Sequence, residues 1–150
     1  MKLMIRRKRF DELLLTELYS ILQLRSQVFN VEQACNELEI DNLDLYAFHL
    51  LLYSGQTLCG YARLIPPGLV YREMSIGRVV VPKAYRGNKI GRQLMEEAIR
   101  SCYRYFGSGA IRISAQRYAQ RFYESLGFEK ISGVYMKAGI EHIKMQKPRQ

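Results

Sequence analysis

The sequence predicts a single α/β domain built on a mixed β-sheet. Two patterns point to it: a glycine turn joins two apolar β-like runs in the first half, and beyond residue 79 single helices alternate with single strands. A third observation is the absence of any Pro/Gly/Ser-rich linker or internal repeat across 150 residues. One domain over residues 1–150 is therefore expected, burying roughly 68–70% of its unfolded surface.

The elements follow in order. Ile5 to Phe10 reads as a short first strand, and Leu14, Leu18, Ile21, Leu22, Arg25, Val28 and Phe29 then recur at helical spacing, with Asp11 as the expected N-cap. After the polar stretch "NELEIDNLD", the segment "LYAFHLLLYSGQTLCGYARLI" reads as a hairpin turning at Ser54-Gly55 and closed by Pro66-Pro67-Gly68. Arg72 to Val81 forms a further strand, whose interior Gly77 predicts a bulge. Ile90, Leu94, Met95, Ala98, Ile99, Cys102 and Phe106 trace one face of a helix stopped by Gly107. Ile111, Ile113 and Ala115 alternate in a short strand, "RYAQRFYESL" forms a helix ended by Gly127, and two strands, "EKISGVYM" and "EHIKMQ", flank a turn at Ala138-Gly139.

Composition narrows the function classes. Hydrophobic residues at 48% and charged residues at 25% describe a globular chain and exclude a disordered one. The greasiest run, Leu45 to Tyr53, falls far short of the ~20 residues of a membrane span, and Asp11 and Glu12 interrupt the N-terminal segment before any signal-type apolar core. A cytoplasmic protein without membrane contact is expected. Cys35, Cys59 and Cys102 are odd in number, lack metal-ligand spacing and read as free buried thiols, so no metal is expected. The net charge of +9 invites a nucleic-acid partner, but apart from "RRKR" at Arg6 to Arg9 the basic residues are scattered among acids. A polyanionic small molecule suits that charge better, and no nucleic-acid partner is expected.

The segment "VVVPKAYRGNKIGRQLMEEAIR" carries the chemistry. A strand feeding directly into a helix leaves the first helical N–H groups unpaired, and with the helix dipole they favour an anion. Gly87 and Gly91 allow close approach, and Lys83, Arg86, Lys89 and Arg92 add positive charge, so a phosphate or pyrophosphate is the natural guest. A βα turn that uses glycine only for its geometry is the alternative. No G-K-[ST] follows the glycines and the spacing is not G-x-G-x-x-G, which disfavours nucleoside-triphosphate and dinucleotide folds.

This segment resembles the acetyl-coenzyme A signature of the GNAT acetyltransferase superfamily, a strand and Pro followed by [Q/R]-x-x-G-x-[G/A]. Arg86 fills its first position and Gly91 its last, while Lys89 stands where the family usually has glycine. "SAQRYAQRFYESLGF" resembles the superfamily's second motif, and "LRSQVFNVEQAC", "IGRVVV", "RGNKIG" and "GIEHIKM" resemble its ElaA-like branch over nearly the whole chain. The resemblance implies a GNAT-type mixed, centrally splayed sheet flanked by helices, and acetyl transfer from acetyl-coenzyme A to a primary amine by direct attack in a ternary complex. A homodimer stays open.

Site residues follow from the same resemblance. Gly87, Asn88, Lys89, Ile90, Gly91 and Arg92, with Arg86, would hold the pyrophosphate; backbone groups of Val79, Val80 and Val81 would meet the pantetheine; Gln116 and Phe122 would complete the coenzyme site. A bulge near Gly77 would bend its strand away from Ile111 to Ala115 and open the pantetheine slot. Tyr123 matches the tyrosine that serves many relatives as general acid, its alternative being a core aromatic beside Phe122. Glu32 and Glu73 are the candidate bases, each equally readable as a solvated surface group. Arg25, Gln33, Arg78 and His142 are candidates for the acceptor pocket. Arg25, on an apolar helix face, is expected to meet a carboxylate such as Glu32 or an acidic substrate. A non-catalytic coenzyme-A-binding or basic interaction module is the second reading. A resemblance of Arg25 to Phe29 to acyl-homoserine-lactone synthases is disfavoured by the absence of tryptophan.

Overall fold

In the computed structural model, which describes residues 2–149, eight strands form one sheet flanked by helices on both faces. β1 (Met4–Arg9), β2 (Phe48–Ser54), β3 (Thr57–Ile65) and β4 (Met74–Val80) run antiparallel in sequence order. β5 (Ile111–Gln116) joins β4 in parallel, and β8 (Ile140–Lys147) pairs antiparallel with β5. Beyond β8 lie two short edge strands, β6 (Glu129–Lys130) and β7 (Tyr135–Lys137). The sheet is therefore mixed, as the pattern predicts.

The apolar runs make sense once both faces are seen. Along β2, Leu50 and Leu52 pack with Ala62, Leu64 and the apolar face of α2 (Ile90–Phe106). Leu51 and Tyr53 point the other way, toward Ile21, Val28 and Tyr61 beneath α1 (Leu15–Arg25). A strand buried on both faces reads as a continuous hydrophobic run, which is why "HLLLY" shows no alternation. Leu94 and Met95 of α2 are fully buried, each contributing about 1.5–3 kcal/mol of apolar transfer.

The first helix departs from expectation at its start. Leu13 N–H donates to the Phe10 carbonyl at 3.2 Å and closes Phe10–Glu12 as a 3₁₀ turn, capped by Arg9 N–H on Glu12 Oε1 at 2.9 Å, and the chain then extends through Leu13 and Leu14 before α1. Asp11 is thus not the N-cap; the Glu17 carboxylate caps α1 instead by accepting from Leu14 N–H at 2.8 Å. Glu17 also takes Arg6 at 2.9 Å and Lys8 at 2.7 Å, while Arg7, on the opposite face of β1, donates to Ser101 of α2 at 2.7 Å. Strand alternation therefore sends Arg6 and Lys8 to α1 and Arg7 to α2, while exposed Arg9 pairs with Asp11. The predicted strand "EKISGVYM" breaks into β6 and β7 because Ser132 Oγ, and not a backbone carbonyl, accepts Lys144 N–H. The Ala138-Gly139 turn is as expected, with φ of 53° and 76° in a two-residue hairpin. No helix among the described residues is long and apolar enough to cross a membrane.

Two histidines whose pKa is held low by burial predict a pH-dependent stability. His49, 1% exposed, donates from Nε2 to the Asp44 carbonyl at 2.9 Å, so Nδ1 must accept from the Tyr61 hydroxyl at 2.7 Å. Burial holds its pKa below the ordinary value, and His142 is shifted the same way. The unfolded chain binds these protons near pH ~6.5, so the stabilisation is complete above that pH and is lost as pH falls through the lower folded values. Thermal unfolding between about pH 7 and about pH 5 should show this slope. His49→Leu should flatten it while lowering stability at pH 7 by about 1–3 kcal/mol; an unchanged slope would assign the effect elsewhere.

Candidate active site

The cleft exists because β4 and β5 separate. Their parallel pairing covers only Met74↔Ile111 and Ser75↔Arg112. Beyond it β4 bulges: Arg63 faces Gly77 and Tyr61 faces Val80, so one residue between them on β3 opposes two on β4. The bulge is where Gly77 predicts it, but the left-handed residue is Arg78, at φ 49°. A non-glycine residue held there is strained, a feature that concentrates at functional sites. With its β5 neighbour gone, the end of β4 at Val79 and Val80, with Val81 after it, opens onto a cleft of about 1100 Å³.

One wall of the cleft is the start of α2. Lys89 is the N-cap, at φ 59° and ψ 18°, which explains why glycine suits this position and why lysine carries some strain here. The amides that follow have no intrahelical partner. A Cβ built on Gly91 meets nothing within 4 Å, so the missing side chain leaves room in the cleft and is not demanded by packing. Gly87, Lys89, Ile90, Gly91 and Arg92 line the cleft, whereas Asn88 turns its side chain back to the Tyr85 carbonyl at 3.3 Å. Arg86 folds over the loop, donating to the Val81 carbonyl at 2.9 Å and to Glu32 at 2.6 Å, and Arg92 reaches Ser125 beyond α3 (Gln120–Glu124) at 2.9 Å.

Tyr123 on α3 also lines the cleft, beside Phe122 and the exposed Tyr118. Its ring packs edge-on against Phe122 and Phe128 at 5.2 and 5.9 Å, so it is held by aromatic neighbours. Its hydroxyl has no hydrogen-bond partner among the described residues, and the residue is half-buried at the cleft wall. Burial, then Tyr118, push the phenol up to about 12, so it carries its proton at neutral pH.

The opposite wall begins where α1 widens into the π-helical segment Ser26–Glu32, with Gln33 N–H bonded to the Val28 carbonyl at 2.9 Å. That widening brings Glu32 and Gln33 to the cleft, where Gln116 Nε2 donates to Gln33 Oε1 at 3.2 Å. His142 lies on β8 opposite Gln116 and Tyr135, and its Nδ1 donates to the Ile140 carbonyl at 2.7 Å. The ring is therefore fixed with Nε2 as acceptor. Its pKa is lowered by burial, with Lys137 and Arg78 acting in the same direction.

Three sequence expectations change. Arg25 meets carboxylates, but they are Glu39 at 2.8 Å and Asp44 at 2.7 Å, not Glu32, and it is fully buried outside the cleft. Glu73 does not line the cleft; its nearest cation is Arg112 at 3.7 Å. Cys59 and Cys102 are buried free thiols, but Cys35 is only half-buried and lines the cleft. Arg63 and Lys137 line the cleft and were not singled out by sequence reasoning, nor were Glu39 and Asp44, which stand behind the lining as partners of Arg25, Arg63 and Arg78. The alternating acids Glu37, Glu39 and Asp41 of "NELEIDNLD", placed after a helix with a buried arginine, were the available signal.

An acetyltransferase (GNAT) domain model matches residues 19–149, and the chain belongs to that family of acyltransferases. Within it the chain is ElaA-like: it is 39% identical to Escherichia coli ElaA over 137 residues, 90% of each chain, and that protein's crystal structure superposes with a TM-score of 0.92. A Schizosaccharomyces pombe protein is 43% identical over 93% of both chains. The structure of an acyl-CoA N-acyltransferase from Pseudomonas aeruginosa, 38% identical, matches with a TM-score of 0.93 over 97% of this chain and 99% of that one.

Asp44 ties the polar wall together, because its Oδ1 accepts from both Arg25 and Arg63, at 2.7 and 3.1 Å. Asp44→Ala leaves two buried guanidinium groups short of charge and should cost about 3–5 kcal/mol by urea unfolding. A loss below about 1 kcal/mol would show that Glu39 and Asp41 suffice.

Proposed function

We propose that the cleft binds acetyl-coenzyme A along β4 and at the α2 N-terminus and transfers its acetyl group to a primary amine in a ternary complex. The observation that carries this reading is the open space above Gly91, beside free amides and three cations, continuous with the slot that β4 leaves on parting from β5. A cradle of this kind suits a pyrophosphate with a slender extended arm.

In the transfer, the amine lone pair forms the N–C bond, the C–S bond breaks, and the electron pair leaves on sulfur. Backbone N–H groups at Val79 to Val81 face the developing charge on the acyl oxygen. Tyr123 gives its proton to the departing thiolate, a task suited to a phenol that stays protonated. We assign the amine proton to His142, whose Nε2 is free to accept it. Glu32 is a weaker candidate because Arg86 engages its carboxylate, and Glu73 because it stands outside the cleft lining.

Acetyl-coenzyme A should raise the thermal midpoint of the parent protein, since a ligand bound only by the native state stabilises it by mass action. Gly91→Val should fold and lose that response, because a Cβ there meets nothing within 4 Å and the side chain takes up the ligand's space. Equal responses in the two proteins would remove the pyrophosphate assignment. Tyr123→Phe should keep the response but lower turnover roughly 10²–10⁴-fold, whereas unchanged turnover would make Tyr123 a packing residue.

A further inference from the structure

If the cleft transfers an acetyl group to an amine, on which this inference rests, the charges that β4 and β7 present to it define the chemistry of the acceptor. Arg78 is held in its left-handed bulge with the guanidinium stacked 4.3 Å from the Phe29 ring centroid and Nε tied to Glu39 at 3.0 Å. Its other guanidinium donors have no acceptor among the described residues. Lys137, exposed in the cleft, has no ion-pair or hydrogen-bond partner among them.

The nearby carboxylates are already engaged. Glu39 is shared between Arg25 and Arg78, Asp41 is clamped by Arg63 through two contacts of 2.9 Å, and Glu32 is taken by Arg86. The exposed Glu37 is the remaining acid on this side. Burial lowers the Lys137 pKa first, and Arg78 and Lys144 push it the same way against the opposing Glu37, so cations gather around it. A polyamine would be repelled here, while an anion would relieve the crowding through charge-assisted hydrogen bonds.

We propose that the acceptor is an anionic amine: a small molecule whose carboxylate or phosphate docks between Arg78 and Lys137 and whose primary amine is presented to His142 and the acyl group. The N–C bond forms as the C–S bond breaks, the amine proton passes to His142, and sulfur leaves protonated by Tyr123.

The test is an acetyl-coenzyme A thiol-release assay with matched pairs: L-amino acids against their carboxamides, and O-phosphoethanolamine against ethanolamine. The anionic member of a pair should be preferred about tenfold or more in kcat/KM, and the pair that responds tells carboxylate from phosphate. In Lys137→Gln, with its fold checked by thermal unfolding, that preference should shrink severalfold through KM with kcat nearly unchanged. Neutral members turned over equally well or better, or a preference untouched by Lys137→Gln, would overturn the anionic acceptor alone. No turnover of any pair, with acetyl-coenzyme A still stabilising the protein, would overturn amine transfer itself and this inference with it.

Discussion

The cleft and both of its walls arise from the brevity of the contact between β4 and β5. Two residue pairs join the halves of the sheet, and past Ser75 the strands part. An unpaired strand edge inside a folded domain leaves backbone donors and acceptors without partners, a state that persists only where something else satisfies them. The bulge that opposes Gly77 and Val80 to Arg63 and Tyr61 produces the parting, and α2 fixes its position by burying Ile90, Leu94 and Met95 against the β2–β3 side. The slot is thus built by the same packing that builds the core.

The N-terminal wall solves a different problem. Bringing Arg25 and Arg63 out of water is costly unless each finds carboxylates, and the segment Glu39 to Asp44 supplies them. Glu39 is the joint of this arrangement: it receives buried Arg25 at 2.8 Å on one side and cleft-lining Arg78 at 3.0 Å on the other. A structural ion-pair cluster therefore reaches the surface of the cleft and orients a cation there. The π-helical turn does the same for Glu32 and Gln33, which an uninterrupted α-helix would set at a different angle.

Much of this was legible in the sequence where a local rule acts alone. Alternation in Ile111 to Gln116, the helical face from Ile90 to Phe106 and the glycine bend before that helix each depend on neighbouring residues, and all three stand where expected. The bulge was legible from Gly77, although the strain falls on Arg78. Where several groups compete for one segment, the pattern was silent. Asp11 has the chemistry of a cap, yet Glu17, anchored by Arg6 and Lys8 from a strand, takes the role. Partners far apart in the chain, such as Arg25 with Asp44 or Arg86 with Glu32, are set by how the sheet brings loops together, and spacing carries no trace of that.

If the parted edge of β4 and the N-terminus of α2 form one continuous binding surface, a single ligand must be felt along both. Titrating ¹⁵N-labelled protein with acetyl-coenzyme A and following backbone amide shifts reads this residue by residue. The largest changes should fall on the amides of residues 79–81 and 87–92, extend to Phe122 and Tyr123, and leave β1 little affected. Changes centred on the β1 edge, or confined to the α2 N-terminus with residues 79–81 unmoved, would contradict it.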